Sequence, residues 1–360
     1  LIYAGLSLHQ RILHYEGVEG MKRKVWMLVM ALAIMIVLSA CGSKSQEDVV
    51  GNLKEKMEDL KGYKAKAKMT LQVGNEPQTY DIEIWHNKPN FYRVLLKNDI
   101  KEQSQMILRN KEGVYVLTPA LNKSYKFQSE WPQNSSQAYL FESLVKDILL
   151  DKDATFKSTK DQYVFETKTR YQNNKMLPYQ EIVFNKRNLS PKSVKVMDTD
   201  RKTLVSVQFT KVDFNAKFDK NAFDTHKNLT SSILDEIPAS AKPEGTELTV
   251  KYPTAKIGDT TLLDEKEINT ENGKRVVLTY TGKKSFTMIQ EKAEAMQTAT
   301  MVPTSIADAD MVDLGFAIGT LTKGSISWTQ DGVDYMIASK ELTENELIEV
   351  AQSVQSEPVK

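Results

Sequence analysis

The sequence predicts a mainly β protein: one large antiparallel sheet, curled or sandwiched and partly covered by helices, with a smaller α+β domain behind it. Three observations carry this. Runs of alternating apolar and polar residues follow one another between Lys64 and Phe214, and a period of two belongs to strands. Turn residues such as Gly74-Asn75 and Asn87-Lys88-Pro89-Asn90 stand between these runs, as antiparallel neighbours require. From Ile233 to Val250 the periodicity fades into a stretch containing Pro, Ala and Glu, which marks a domain boundary. A chain of 360 residues is long enough for two domains, each with its own core.

Taken in order, Ser43 to Asp48 reads as a short polar tether. Val49, Leu53, Met57 and Leu60 recur at helical spacing, with Gly62 as a stop. Ala65, Ala67, Met69, Leu71 and Val73 then face one way, and Lys64, Lys66, Lys68, Thr70 and Gln72 the other. Tyr80, Ile82 and Ile84 form one face of a second strand. Phe91–Lys97, Gln105–Arg109 and Val114–Thr118 make a third, fourth and fifth. Ser136 to Leu150 breaks the pattern and reads as an amphipathic helix. Strands resume at Gln162–Thr167, Tyr179–Asn185, Lys192–Asp198 and Leu204–Phe214. In the second domain, Arg275–Thr281 and Phe286–Glu291 form a strand pair, after which Gln290–Met296 turns helical. Asp313–Leu321, Gly324–Thr329 and Val333–Ala338 are strands, the last two joined by a hairpin turn at Asp331-Gly332. Thr343 opens a closing helix as its N-cap, with Glu346 completing a capping box.

Composition narrows the function. The 48 basic and 47 acidic residues give a net charge of +1. Four basic and two acidic residues precede Cys41, which leaves 44 against 45 in the remainder. No basic stripe accumulates, so nucleic acid is not an expected partner. The single cysteine cannot form an intramolecular disulfide or a thiolate zinc site. No HExxH, CxxC or GxSxG motif occurs, and Val277 stands where a phosphate loop ending in Gly282-Lys283-Lys284-Ser285 needs its first glycine. His86, ending a strand beside a turn, suits a surface or capping role. Neither an enzyme nor a cofactor or metal is expected.

The cysteine has a context. Lys22-Arg23-Lys24 is a positive segment, and Val25 to Val37 is an apolar run of signal-peptide length, too short for a comfortable bilayer span. The quartet Leu38-Ser39-Ala40-Cys41 resembles a bacterial lipobox. That resemblance implies a diacylglycerol on the Cys41 thiol, cleavage before Cys41, and a protein anchored on the outer face of the cell membrane. Two acyl chains hold a protein firmly where one does not, at about 0.8 kcal/mol per buried methylene. Residues 1–20 do not fit a signal peptide. Glu16-Gly17-Val18-Glu19-Gly20 can be encoded by a purine-rich, ribosome-binding-like string just before Met21, and Leu1 is what TTG encodes. Residues 1–20 are therefore expected to be translated leader. The organisation read is leader 1–20, signal peptide 21–40, tether 41–48, sheet domain 49–230, linker and lead-in 231–270, and small domain 271–360.

Residues 63–227 resemble the LolA/LolB lipoprotein-carrier fold. The resemblance rests on Ile82-Glu83-Ile84-Trp85-His86-Asn87-Lys88-Pro89-Asn90-Phe91-Tyr92-Arg93, on the hairpin from Gln105 to Pro119, on the helix at Tyr139–Leu149, and on Val212-Asp213-Phe214-Asn215 with Ala222-Phe223-Asp224 at the end. It implies an unclosed antiparallel β-barrel, a half-barrel, with covering helices and an apolar inner surface for acyl chains. Met69, Leu71, Ile82, Ile84, Val94 and Leu96 are the candidate lining residues; the other reading of them is plain core beneath the helices. Residues 275–354 resemble a small domain attached to Gram-positive surface proteins and anti-sigma factors, through Trp328, Asp331-Gly332, Tyr335, Leu342-Thr343-Glu344-Asn345-Glu346-Leu347 and Ala351-Gln352-Ser353. The pairing implies a lipoprotein of spore-forming bacteria acting in sporulation or germination. Two functions follow: a membrane-anchored protein binding lipid or lipoprotein acyl chains, or a non-catalytic scaffold for a cell-envelope (cell-wall) enzyme.

Overall fold

In a computed structural model, the chain is described at residues 44–72, 77–98, 103–121, 123–132, 135–171, 174–225, 227–228, 248–270, 273–293, 304–305 and 309–355. It divides into a leading unit, residues 1–49, and a main unit, Val50–Lys360.

Among the described residues the first helix, α1 (Gln46–Asp59), begins inside the stretch read as tether. Its start is set locally: Ser45 Oγ accepts from Asp48 N, and Asp48 accepts from Ser45 N, a reciprocal cap. Gly62 is not the stop of this helix, which ends three residues earlier. It opens β1 (Gly62–Leu71), where a Cβ would lie 2.5 Å from the His86 carbonyl oxygen, so the close approach of the next strand demands glycine.

The main sheet continues through β2 (Gln78–Asn87), β3 (Phe91–Asn98), β4 (Gln103–Asn110), β5 (Gly113–Thr118) and β6 (Lys123–Phe127). Helix α2 (Phe141–Leu150) interrupts it. It resumes with β7 (Thr155–Ser158), β8 (Gln162–Lys168), β9 (Tyr179–Asn185), β10 (Pro191–Met197) and β11 (Thr203–Asp213). A second group follows: β12 (Tyr252–Pro253), β13 (Thr261–Thr270), β14 (Gly273–Thr281), β15 (Phe286–Lys292), β16 (Thr304–Ser305), β17 (Asp310–Asp313), β18 (Ile318–Thr322), β19 (Ser325–Gln330), β20 (Val333–Ala338), helix α3 (Glu344–Gln352) and β21 (Val354–Gln355).

The first sheet has the order β16-β6-β5-β4-β3-β2-β1-β11-β10-β9-β8-β7. Every pairing in it is antiparallel except that of β16 with β6, and its two end strands do not meet. It is therefore an open antiparallel sheet, as the half-barrel expectation requires. The second sheet has the order β13-β14-β15-β20-β19-β18-β17, with α3 packed on β19 and β20. Thr343 caps α3 in the expected capping box.

β6 and β7 were not among the expected strands, the helix read from Ser136 begins at Phe141, and further local readings change. β13 lies within the span read as linker and lead-in, and the alternation there did not predict a strand. The continuous strand expected over Asp313–Leu321 is two strands around a bend at Gly315, whose φ of +87° suits glycine. Phe286–Lys292 stays extended where Gln290 was expected to enter a helix; the remainder of that helix, the turn at Gly74-Asn75 and Val73 lie outside the described residues.

The first sheet is packed on both faces at its β3–β5 end. Register places Leu95 opposite Met106, Arg93 opposite Leu108, and Leu108 opposite Tyr115. Met106, Leu108 and Tyr115 form an apolar cluster with Leu117, Ala222 and Phe223, with Leu95 packed against it, so the returning segment after β11 covers the outer face. The run Met106-Ile107-Leu108 is accordingly apolar at every position rather than at every second one.

Candidate functional site

The opposite, inner face carries all six residues read as cavity lining. Ile82 stands across from Leu96, Ile84 from Val94, Met69 from Val207, and Leu71 from Val205. Met69 and Leu71 are 1% exposed, Ile82 2%, Ile84 and Val94 0%, and Leu96 9%. The alternation thus identified one continuous face, and that face is filled by other parts of the chain.

Helix α2 is the first occupant. Phe141 packs edge-on to Tyr63 of β1 and to Phe184 of β9, with ring centroids 6.4 and 6.3 Å apart. Two carboxylates, Glu142 half-buried and Asp147 buried, hold the helix. Glu142 accepts from Tyr63 Oη at 3.1 Å and meets His86 Nε2 at 2.9 Å. The other ring nitrogen, Nδ1, is 3.1 Å from the Phe91 carbonyl oxygen, so both ring nitrogens face an acceptor. His86 is 2% exposed and stacks on Tyr92 at 4.3 Å, so it is a core residue and not the surface residue expected. Its location at the end of an apolar alternation, in phase with Ile82 and Ile84, is the sequence signal for burial.

Asp147, one and a half turns further along α2, accepts from Ser136 Oγ at 2.8 Å and Gln180 Nε2 at 2.6 Å, and pairs with Arg170. Burial pushes its carboxyl above the ordinary range, and Arg170 with the two hydrogen bonds pulls it back. A buried carboxylate held by three partners is costly to uncover, which fixes α2 on the sheet.

The second occupant is the bend between β17 and β18. Leu314 and Phe316 are 2% and 7% exposed. A cavity of about 70 Å³ separates Phe316 from Tyr80, Leu96 and Gln105, and one of about 40 Å³ separates Leu314 and Phe316 from Leu71, Leu177 and Val205. Ligand pockets run to roughly 300–1,000 Å³, so neither remnant holds an acyl chain. Polar contacts fasten the two sheets together around this point. Gln105 Oε1 accepts from Ile318 N at 3.3 Å, Lys123 pairs with Asp334 at 2.6 Å, and Gln78 donates to Asp331 at 3.3 Å. Asp313 sits at the same seam. Its carboxyl is pushed up to about 6 by burial, against hydrogen bonds from Gly315 N and Gln137.

The alternation puts the six residues on one buried face but does not say what packs against them, because Leu314 and Phe316 carry no period. The lipobox residues Leu38, Ser39, Ala40 and Cys41 lie outside the described residues. Among the described residues, no helix is long and apolar enough to cross a membrane, and no group of three or more His, Cys, Asp and Glu is placed to hold a metal.

Comparison with known proteins adds the following. Residues 263–354 match a domain of unknown function, DUF4367. The solved structures that resemble the chain include two of note. The Pseudomonas aeruginosa MucA/MucB complex is 15% identical with a TM-score of 0.31, covering 86% of this chain and 98% of that one. An outer membrane lipoprotein-sorting protein domain from Vibrio parahaemolyticus is 15% identical with a TM-score of 0.30, covering 50% and 96%. Sporulation protein YdcC of Bacillus subtilis (strain 168) is 53% identical over 342 residues, which is 95% of this chain and all of that protein. Residues 21–223 match the family described as sporulation protein YdcC-like. By that match and that identity, the chain belongs to the YdcC-like family of sporulation proteins.

Proposed function

We propose that the protein is a non-catalytic lipoprotein, anchored through diacylglycerol on Cys41 to the outer face of the cell membrane, that serves sporulation as a scaffold for a cell-envelope protein. One observation carries the scaffold reading: the inner face of the open sheet is occupied by α2, Leu314 and Phe316, so it behaves as a core. A filled face leaves the protein its surfaces to work with. The other reading, a site for lipid or lipoprotein acyl chains, draws on the unbroken apolar lining of Met69, Leu71, Ile82, Ile84, Val94 and Leu96, and it requires both occupants to move.

Native mass spectrometry of the purified protein separates the two. The scaffold reading expects the bare polypeptide mass beyond the anchor itself, together with retention of an envelope protein. Co-purified lipid that disappears on Leu71→Asp or Ile84→Asp would replace it with the acyl-chain reading. Cys41→Ala is expected to release the protein from membranes; full membrane retention of that variant, uncleaved, would sink the anchor.

A further inference from the structure

The scaffold reading leaves open which surface does the work, and the described residues point to one edge. Among the described residues, five large hydrophobic side chains are exposed: Leu150, Leu262, Leu263, Ile268 and Met336. Three of them lie on β13 and a fourth on the same sheet. β13 is ten residues long, ends the second sheet, and is exposed along nearly its whole length. Its far side therefore offers a row of backbone N–H and C=O groups to a further strand.

We propose that β13 is a docking edge at which an extended segment of a partner protein, alternating basic and aliphatic residues, adds as an eighth strand. The register supplies the chemistry. Glu265 and Glu267 stand opposite the buried Leu278 and Val276, so both point to one face, and no basic residue of β13 shares it. Asp264, Lys266 and Ile268 point to the other face, opposite Thr279, Val277 and Arg275. On that face Val277 continues into Ile289 and then Met336, an apolar row running inward from the edge. A partner strand would thus place basic residues beside Glu265 and Glu267, and aliphatic ones beside Ile268. Lys274 already pairs with Glu267 at 2.6 Å, and Tyr252 donates to Glu265 at 2.9 Å, which holds both carboxylates in place.

A second copy of the chain is a poor occupant. Self-pairing centred on Lys266 sets Glu265 of one edge against Glu267 of the other, and the bulge between Leu262 and Asp264 breaks the flat register that any self-pairing would need. These are the devices by which an edge avoids its own kind while remaining open to a complementary strand.

This inference rests on the scaffold reading, and its test is separable from it. The probe is a nine-residue peptide alternating Lys and Val, with its Glu-Val counterpart as control, each added to the full chain and followed by fluorescence anisotropy and amide hydrogen exchange. The Lys-Val peptide is expected to bind and slow exchange across β13. Glu265→Lys with Glu267→Lys is expected to weaken it about ten-fold, from cross-strand charge pairs turned from attraction to repulsion. Both substitutions are at exposed positions, and unchanged thermal unfolding confirms that the variant folds. Equal binding of the two peptides, protection elsewhere than β13, or no response to charge reversal would overturn the proposal. Capture of an envelope protein equally by wild type and by the double variant would also overturn it, while leaving the scaffold reading intact.

Discussion

Asp313 ties the stability of the inter-sheet seam to pH, and the effect can be sized. Its carboxyl titrates at about 6 in the folded chain against 3.8 when free. Between these values the folded state binds more protons than the unfolded state, so stability falls as pH rises. The difference of roughly 2.2 units corresponds to about 3 kcal/mol at 1.36 kcal/mol per unit. That is an upper bound, because Asp313 keeps some accessible surface. At pH 5 about half of the penalty is already present, on the order of 1.5 kcal/mol, and above pH 7 all of it is. Asp313→Asn removes the charge and keeps an acceptor for Gly315 N, which donates to Oδ1 at 2.7 Å. Urea unfolding at pH 5.0 and 7.5 is the assay. The variant is expected to be more stable than wild type at both, with a gain roughly twice as large at pH 7.5. An equal gain at the two pH values, or none, would refute the reasoning, since burial of the charge is its only source.

Three further outcomes follow from the packing. Phe316→Ala empties the ring that separates the two small cavities and should cost about 3–5 kcal/mol in chemical denaturation, with faster amide exchange at the ends of β2 and β3; a loss below about 1 kcal/mol would show that the ring does not bridge the sheets. Gly62→Ala drives a Cβ to within 2.5 Å of the His86 carbonyl oxygen and should cost on the order of 1–3 kcal/mol in the same assay, where a neutral result would contradict the close approach. Glu142→Gln preserves shape but cannot match both His86 and Tyr63 as a carboxylate does; a loss of roughly 1–3 kcal/mol is expected by urea unfolding at pH 7, and an unchanged midpoint would mean the cluster does not hold α2.

Much of the first sheet is written in local pattern. Ala65, Ala67, Met69 and Leu71 alternate with lysines and threonine, and each lies where the alternation puts it. β13 is not legible in that way. Leu262-Leu263-Asp264-Glu265-Lys266-Glu267 has no period of two because nothing covers either face, so no pattern of burial was selected. Its strand conformation comes from pairing with β14, whose Val276, Leu278 and Tyr280 alternate clearly. The start of α1 was readable, since Ser45 and Asp48 have capping-box spacing, but the polar stretch around them suited a tether equally well.

The inner face shows why a list of lining residues stops short of a function. Alternation states that Met69, Ile82 and Val94 share an apolar side; it does not state what that side touches. The answer depends on contacts distant in sequence, such as Gln105 with Ile318, 213 residues apart. Leu314 and Phe316 sit on an irregular bend, where no periodicity applies, and their apolar character alone is as consistent with the second sheet's own core. Buried polar groups are the better guide. A sequence places His86, Glu142, Asp147 and Arg170 in apolar surroundings only when each has a partner, because an unpaired one costs more than its hydrogen bonds return. His86 in phase with Ile84, and Asp147 between Val145 and Ile148 on an amphipathic helix, are two such positions. Together they imply that the helix and the sheet were selected to stay in contact. An acyl-chain cavity would have to break both clusters to open beneath α2, whereas a scaffold keeps them closed. The retained polar pairs therefore weigh on the side of a packed inner face.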